Sequence, residues 1–123
     1  MNNINPVNLP PQVFNLKGWI ELTESSQLKT LFGEQLKNAD FKVLNFSDHH
    51  FPLNGYTAFW LLAESHLALH TFTESGWCYI ELSSCNKEKA QLFKAACEKL
   101  PHALKWDSDV EELSCETNNN VHS

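Results

Sequence analysis

The chain has 123 residues, of which 42% are hydrophobic and 20% charged, and its formal net charge is −6. This length and composition are typical of one globular domain that is large enough to bury a hydrophobic core without disulfides or metals. The negative charge argues against non-specific binding to nucleic acids, which requires a positive surface, and no apolar stretch is long enough to cross a membrane.

Hydrophobic periodicity and turn residues predict two helices and six strands. The Asn- and Pro-rich N-terminus lacks the basic and apolar segments of a signal peptide, so we expect a cytoplasmic protein. Ser25 or Ser26 can cap the first helix, and Pro101 stops the second. In chain order we expect a flexible arm (1–12), a strand (14–22), a helix that ends at 38–40, a strand (41–46), a loop (47–55), three strands (56–63, 67–72 and 77–82), a helix (88–100), a strand (103–110) and a disordered tail (111–123).

The order of these elements predicts an α+β fold. Connections between the three central strands are too short for a parallel crossover, so these strands must be antiparallel. The two helices then cover one face of the antiparallel sheet, which gives a two-layer sandwich over residues 13–110.

The hairpin made by the last two central strands has a predictable register. Residues 73–76 form its loop, in which Gly76 supplies the unusual backbone angle. Phe72 then faces Trp77, and the continued ladder places Cys85 opposite Glu64. The thiol of Cys85 is therefore expected beside Ser65, although a single β-bulge would shift the pairing.

Ser65, His70 and Cys85 are candidates for covalent and proton-transfer chemistry. The Ser65 hydroxyl can attack the carbonyl carbon of the Glu64–Ser65 peptide bond and convert the amide to an ester. Loss of the serine α-proton then expels the Glu64 carboxylate, and hydrolysis of the remaining dehydroalanine leaves a pyruvoyl group and ammonia. Such a cut requires a base, and histidine is the natural base at neutral pH.

Each of these residues also has an ordinary structural interpretation. Ser65 can be a turn serine, His70 a hydrogen-bonded histidine on a strand, and Cys85 a small buried side chain. On a straight extended strand His70 lies roughly 16 Å from Ser65. Either the chain bends sharply near Ser65 or His70 acts by another approach, such as in a dimer.

The remaining histidines and cysteines predict no further site. Cys78 and Cys97 lie in apolar sequence and are expected in the core as free thiols. His49 and His50 are adjacent on an extended chain, where their rings diverge, so we expect a solvated loop and no metal site. Glycine-rich phosphate-binding motifs are missing from a chain with 4 glycines.

Several motifs lie together within the middle of the chain: His50-Phe51-Pro52, Gly55, Glu64-Ser65-His66, His70-Thr71, Glu74, Gly76 and Cys85. Over about residues 40–100 the chain resembles the short bacterial and archaeal S-adenosylmethionine decarboxylase proenzymes, which depend on a pyruvoyl group. The resemblance implies self-cleavage between residues 64 and 65 into chains 1–64 and 65–123. It also implies a homodimer of cleaved protomers with active sites at the subunit interface.

The resemblance further implies a role for each matching residue. Ser65 becomes the covalently bound pyruvoyl group, which forms a Schiff base with the substrate amine in place of pyridoxal phosphate and without a metal. His70 is the processing base, Thr57 is the processing hydroxyl where the family usually has serine, and Cys85 is the proton donor. Two residues bind the substrate, namely Phe51, by stacking on adenine, and Glu74.

Two segments depart from the usual pattern of the family. The first strand lacks a Gly-x-His-Leu motif and reads Leu16-Lys17-Gly18-Trp19-Ile20, and the loop after Thr71 has Phe72-Thr73-Glu74 in place of Trp-Pro-Glu. The main hypothesis is a pyruvoyl-dependent S-adenosylmethionine decarboxylase of spermidine biosynthesis. The alternatives are a related decarboxylase of arginine or ornithine, and an uncleaved, non-catalytic homologue that acts as a binding or regulatory subunit.

Overall fold

A computed structural model describes residues 12–113, which form a seven-stranded antiparallel sheet and two α-helices. The strands are β1 (Val13–Ile20), β2 (Val43–His50), β3 (Tyr56–Leu62), β4 (Ser65–Phe72), β5 (Trp77–Ser84), β6 (Leu104–Trp106) and β7 (Glu111–Leu113), and the helices are α1 (Ser25–Asn38) and α2 (Lys87–Glu98). Five strands lie in the order β2-β3-β4-β5-β1, and β6 and β7 pair with the outer edge of β1.

Alternation along the strands separates a covered face of the sheet from an open one. On β4, Leu67, Leu69 and Thr71 are buried, whereas the residues between them are half-buried or exposed. The buried set packs with Phe32 of α1 and Phe93 of α2, whose ring centroids lie 6.1 Å apart. Both helices therefore cover one face, which confirms the predicted α+β two-layer sandwich.

The opposite side of the sheet, which neither helix covers, is called the open face below. It carries aromatic side chains and histidines from β1, β3, β4 and β5. Its members include Trp19, Thr57, Phe59, Leu61, His66, His70, Phe72 and Tyr79.

The cap of α1 differs from the prediction. Glu24, and neither Ser25 nor Ser26, is the N-cap residue: its carboxylate accepts the backbone N–H groups of Ser26 at 3.3 Å and Gln27 at 2.8 Å. These hydrogen bonds lower the pKa of the Glu24 carboxyl group, the bond from Gln27 contributing most. The glutamate side chain is long enough to fold forward over the first turn, although glutamate is not one of the residues usually preferred at the N-cap.

The strands also differ from their predicted bounds. β2 continues to His50, inside the segment predicted as a loop, because β3 pairs with it up to Tyr56 even though most of its residues are exposed. The final predicted strand is shortened to β6. Residues 111–113 were predicted to be disordered, but they form β7, which pairs with residues 13–15 of β1. The arm at 1–11 and the tail at 114–123 lie outside the described residues. Within residues 12–113 no helix is long and apolar enough to span a membrane.

Candidate active site

Ser65 and Cys85 meet at the rim of the sheet. Ser65 is the first residue of β4 and follows the turn at Ala63 and Glu64, and Cys85 follows the last residue of β5. The Oγ of Ser65 accepts a hydrogen bond from the backbone N–H of Cys85 at 3.4 Å. The two strands pair without a register shift, with Phe72 opposite Trp77, so the predicted hairpin register is confirmed and the backbone of Cys85 contacts Ser65.

The peptide bond before Ser65 lies in an exposed position. Glu64 is exposed in the turn between β3 and β4, Ser65 is half-buried, and Cys85 is exposed. If the peptide bond before Ser65 were cut, the new carboxylate of Glu64 would therefore lie in solvent, where its charge is hydrated.

Thr57 and His70 form a second polar pair at the other end of the same strands. They are direct partners across β3 and β4, and the Oγ1 of Thr57 lies 3.1 Å from the Nδ1 of His70 on the open face. On the covered face Thr71 anchors this position, because its hydroxyl accepts from the N–H of Tyr56 at 2.9 Å and donates to its carbonyl at 3.3 Å. The hydrogen bonds between the Thr71 side chain and the Tyr56 backbone thus fix β3 and β4 next to the Thr57–His70 pair.

Within one chain the structure does not bring His70 to Ser65. The two residues stand at opposite ends of β4, which pairs regularly with β3 over Ser65–His70 and with β5 over His66–Phe72. A strand without a bulge or bend separates residues five positions apart by roughly 16 Å. The alternative of a sharp bend in the strand is therefore wrong.

Glu74 lines a cleft of about 510 Å³ at the end of the open face. The cleft is mainly apolar, and its walls include the rings of Trp19 and Phe72, whose centroids are 5.7 Å apart, and the exposed side chain of Leu53. Phe51 is not among the residues that line this cleft. It is 49% exposed, and its ring packs against that of His49 in a T-shaped arrangement with the centroids 4.4 Å apart. Sequence reasoning missed Trp19 and Leu53 as cleft residues because their types alone indicate core or loop.

His49 and His50 lie on β2, so their placement in a loop was wrong. The Nε2 of His50 lies 3.2 Å from the Oγ of Ser25. The ring of His50 packs on that of Tyr56, with the centroids 4.7 Å apart. The hydroxyl of Tyr56 donates to Asp48 at 2.7 Å. Burial, with this carboxylate as a further cause, raises the pKa of Tyr56. Among residues 12–113 there is no group of three or more His, Cys, Asp or Glu side chains that could hold a metal ion.

Comparison with known proteins gives a family for this arrangement. A family model described as S-adenosylmethionine decarboxylase matches residues 17–110, a span that contains both polar pairs and Glu74. Relatives named S-adenosylmethionine decarboxylase proenzyme include a protein of Prochlorococcus marinus (strain MIT 9313), 33% identical over 84 residues, and one of Synechococcus sp. (strain WH7803), 32% identical over 85 residues. These matches cover 68% and 69% of this chain, and 66% and 65% of the relatives, which is slightly less than two thirds of their length.

A further relative and a solved structure are also similar to this chain. A protein of the same name from Pyrobaculum islandicum is 34% identical over 65 residues, 52% of either chain. The crystal structure of the adenosylmethionine decarboxylase from Aquifex aeolicus VF5 shares the fold, with a TM-score of 0.66 at 18% identity over 85% of this chain and 90% of that one. Since the family model matches most of the sequence, this chain belongs to the S-adenosylmethionine decarboxylase family.

Proposed function

We propose that this chain is a self-processing, pyruvoyl-dependent decarboxylase that acts on S-adenosylmethionine. The observation that carries the proposal is the hydrogen bond between the Oγ of Ser65 and the backbone N–H of Cys85, which places the proposed nucleophile against the backbone of the proposed proton donor beside an exposed turn. Membership of the family supports the decarboxylase activity, and the proenzyme names of the relatives support a processed chain.

Processing begins at the Ser65 hydroxyl. Its oxygen attacks the carbonyl carbon of Glu64, the Glu64–Ser65 C–N bond breaks, and an ester forms with a free amine at residue 65. The N–H of Cys85 orients this oxygen through a lone pair and leaves the hydroxyl proton free for a base.

Elimination then completes the cut. A base removes the α-proton of residue 65, the Cβ–O bond breaks, and Glu64 departs as a carboxylate at an exposed chain end. One water adds to the dehydroalanine that remains, ammonia leaves, and the second fragment begins with an α-keto acyl group. His70, supported by Thr57 at 3.1 Å, is the proposed base.

In turnover, the pyruvoyl group supplies the electron sink for decarboxylation of a bound amine. Cys85 is exposed and its backbone N–H contacts Ser65, and its thiol is the proposed donor of the proton that replaces carbon dioxide on the substrate α-carbon. The cleft at Glu74 lies in the size range of small-molecule sites and offers a carboxylate to a cationic nucleoside. Because Glu74 follows the end of β4 opposite to Ser65, this cleft would serve the Ser65 of a second copy. Phe51, half exposed, offers an open ring face for stacking on adenine.

A homodimer would complete each active site. Ser65 with Cys85 and Thr57 with His70 are the two halves of one catalytic set, yet they are at opposite ends of β4 in one chain. We infer that a second copy related by a two-fold axis brings His70 of the partner subunit to the rim of the sheet, where Ser65 lies, and that the reverse pair forms at the second site.

Intact mass spectrometry and carbonyl labelling test the proposal. We expect the purified protein to contain fragments 1–64 and 65–123, the second of which reacts with a hydrazine reagent and has no α-amine. Ser65→Ala should remain one chain, unlabelled and inactive, whereas the matched loop variant Ser75→Ala should be cut and labelled normally. A single uncut chain with an ordinary serine at 65 would refute the mechanism.

Substrate assays separate the proposed reaction from its alternatives. Carbon dioxide release is measured from S-adenosylmethionine, arginine and ornithine under the same conditions. We expect release from S-adenosylmethionine alone, and release only from arginine or ornithine would overturn the substrate assignment while leaving the pyruvoyl mechanism intact.

A further inference from the structure

Tyr79 lies against His70 on the open face. The two residues are direct partners across β4 and β5, and their rings are stacked, with centroids 6.4 Å apart and an interplanar angle of 22°. His70 therefore has Thr57 on one side, through its Nδ1, and the tyrosine ring on the other. The Nε2 atom has no hydrogen-bond partner within residues 12–113 and is the nitrogen available to a reacting group.

The Tyr79 ring is itself held in place. Tyr79 lies on β5, which has a neighbouring strand on each side. The ring centroids of Tyr79 and Trp19 are 5.1 Å apart, and those of Trp19 and Phe72 are 5.7 Å apart. Burial raises the pKa of the Tyr79 phenol, with Glu81 and Asp107 as further causes, so the ring remains neutral in the physiological range. These contacts make Tyr79 a rigid surface beside a histidine.

A single hydrogen bond to a threonine does not fix an imidazole. The terminal torsion of a histidine is broad, and a hydroxyl can rotate to follow the ring nitrogen. A stacked ring removes this freedom, because it restricts the plane of the imidazole as well as the position of one atom. Proton transfer depends strongly on such orientation, and small displacements of a catalytic group reduce rates by about 10- to 100-fold.

We propose that Tyr79 is a positioning residue which, with Thr57, holds the His70 ring in the orientation required for processing. This inference rests on the proposed function, since it assigns Tyr79 to the same site. It concerns the tyrosine ring and not its hydroxyl, so phenylalanine should replace tyrosine without loss.

Processing rates of Tyr79→Leu and Tyr79→Phe test this role. Cleavage of newly synthesised chain is followed over time by intact mass, and folding and assembly are checked by thermal unfolding and size. We expect about 10-fold slower cleavage in Tyr79→Leu and a near wild-type rate in Tyr79→Phe. Tyr79→Ile, with its higher strand propensity, is the second variant if leucine impairs folding.

The matched control is Phe59→Leu. Phe59 is also on the open face and stacks on a different histidine, His66, at 5.5 Å and 23°. Its loss removes a similar ring from the proposed dimer surface without touching His70, so cleavage in the assembled dimer should slow less than in Tyr79→Leu. Equal slowing by Phe59→Leu and Tyr79→Leu, or equal slowing by Tyr79→Phe and Tyr79→Leu, would overturn the proposal.

Histidine ring NMR in the uncut Ser65→Ala background gives a second readout. Tyr79→Leu should move the ring C–H signals of His70, whereas Phe59→Leu should move those of His66, because each change removes one ring current. A shifted His70 signal combined with wild-type cleavage in Tyr79→Leu would refute the positioning role and leave the proposed function standing. An uncut wild-type chain would overturn both.

Discussion

Three cysteines lie within residues 12–113, and Cys85 is the exposed one. Cys78 and Cys97 are buried as predicted, and burial raises the pKa of Cys78 to about 12 and also raises that of Cys97. Their thiols therefore remain protonated and shielded at neutral pH, which suits a core role. Cys85 is different because its own N–H binds the Ser65 hydroxyl, so its thiol belongs to the residue that touches the proposed cut.

Replacing Cys85 should separate processing from turnover. We expect Cys85→Ala to be cut, because the backbone N–H remains, but to turn over about 100-fold more slowly. Protonation at the wrong carbon should also yield an aldehyde product by abortive transamination. Both are measured by product analysis on the processed protein, with Ser83→Ala, at the same end of β5, as the control. Normal turnover in Cys85→Ala would assign the donor role to another group.

The contact between Ser65 and Cys85 was predictable from sequence, whereas the setting of His70 was not. A short loop containing Gly76 fixes the hairpin register, and the register alone carries Cys85 to Ser65. The pairing of His70 with Thr57 depends on the other neighbour of β4, for which the sequence offers no loop of recognisable type. The position of Tyr79 opposite His70 follows from the same hairpin register, whereas the stacking of the two rings has no signal in the sequence.

At the scale of elements, Gly18 explains how β6 packs against β1. Gly18 is buried and pairs with Trp106, whose ring crosses the place that a side chain would occupy. A Cβ at this position would lie 2.8 Å from the carbonyl oxygen of Lys105 and would overlap the Trp106 ring. The same indole donates to Glu98 at 2.9 Å and so ties β6 to α2.

Gly18→Ala should therefore destabilise the fold by about 1–3 kcal/mol through overpacking against backbone and ring. Gly33, in α1, is the matched control, since a Cβ there meets nothing within 4 Å. Gly33→Ala should stabilise by about 0.5–1 kcal/mol, because alanine favours the helical backbone. Urea unfolding of both variants in the uncut Ser65→Ala background measures the difference. Equal stability of the two would show that β6 moves aside without cost.

Elements with a strong period were found from sequence, and those fixed by a neighbour were not. α1 and α2 were predicted because their apolar residues recur every three to four positions, and β3 to β5 because they are densely apolar. The outer part of β2 reads as a loop because Ser47, Asp48 and His49 are polar, yet β3 supplies its hydrogen bonds. β7 is defined by its pairing with residues 13–15 of β1, which no local pattern in residues 111–113 reveals.

On the scale of the whole molecule, the open face exposes apolar side chains that neither helix covers. It exposes Phe59 by 37%, Leu61 by 43% and Phe72 by 51%, among half-buried histidines. A contiguous apolar surface of this kind is typical of an interaction site. It also carries the Thr57–His70 pair, which lies at the opposite end of β4 from the Ser65 of the same chain. Burial of this face in the proposed homodimer would account for both observations.

Complementation between two inactive variants tests this assembly. Ser65→Ala lacks the nucleophile and His70→Ala lacks the base, so neither should be cut when expressed alone. In a mixed dimer the Ser65 of the His70→Ala chain faces the intact His70 of the partner subunit. We therefore expect co-expression to yield cleavage of the His70→Ala chain only, read by mass on separately tagged chains.

A double variant provides the control for this complementation. Co-expression of His70→Ala with the Ser65→Ala/His70→Ala double variant forms the same kind of dimer but supplies no histidine, so it should give no cut. If the His70→Ala chain stays uncut with either partner although mixed dimers form, His70 does not act across the interface. If it is cut with both, His70 is not the base. Cleavage that requires the intact histidine of the second chain would explain how residues at opposite ends of β4 form one site.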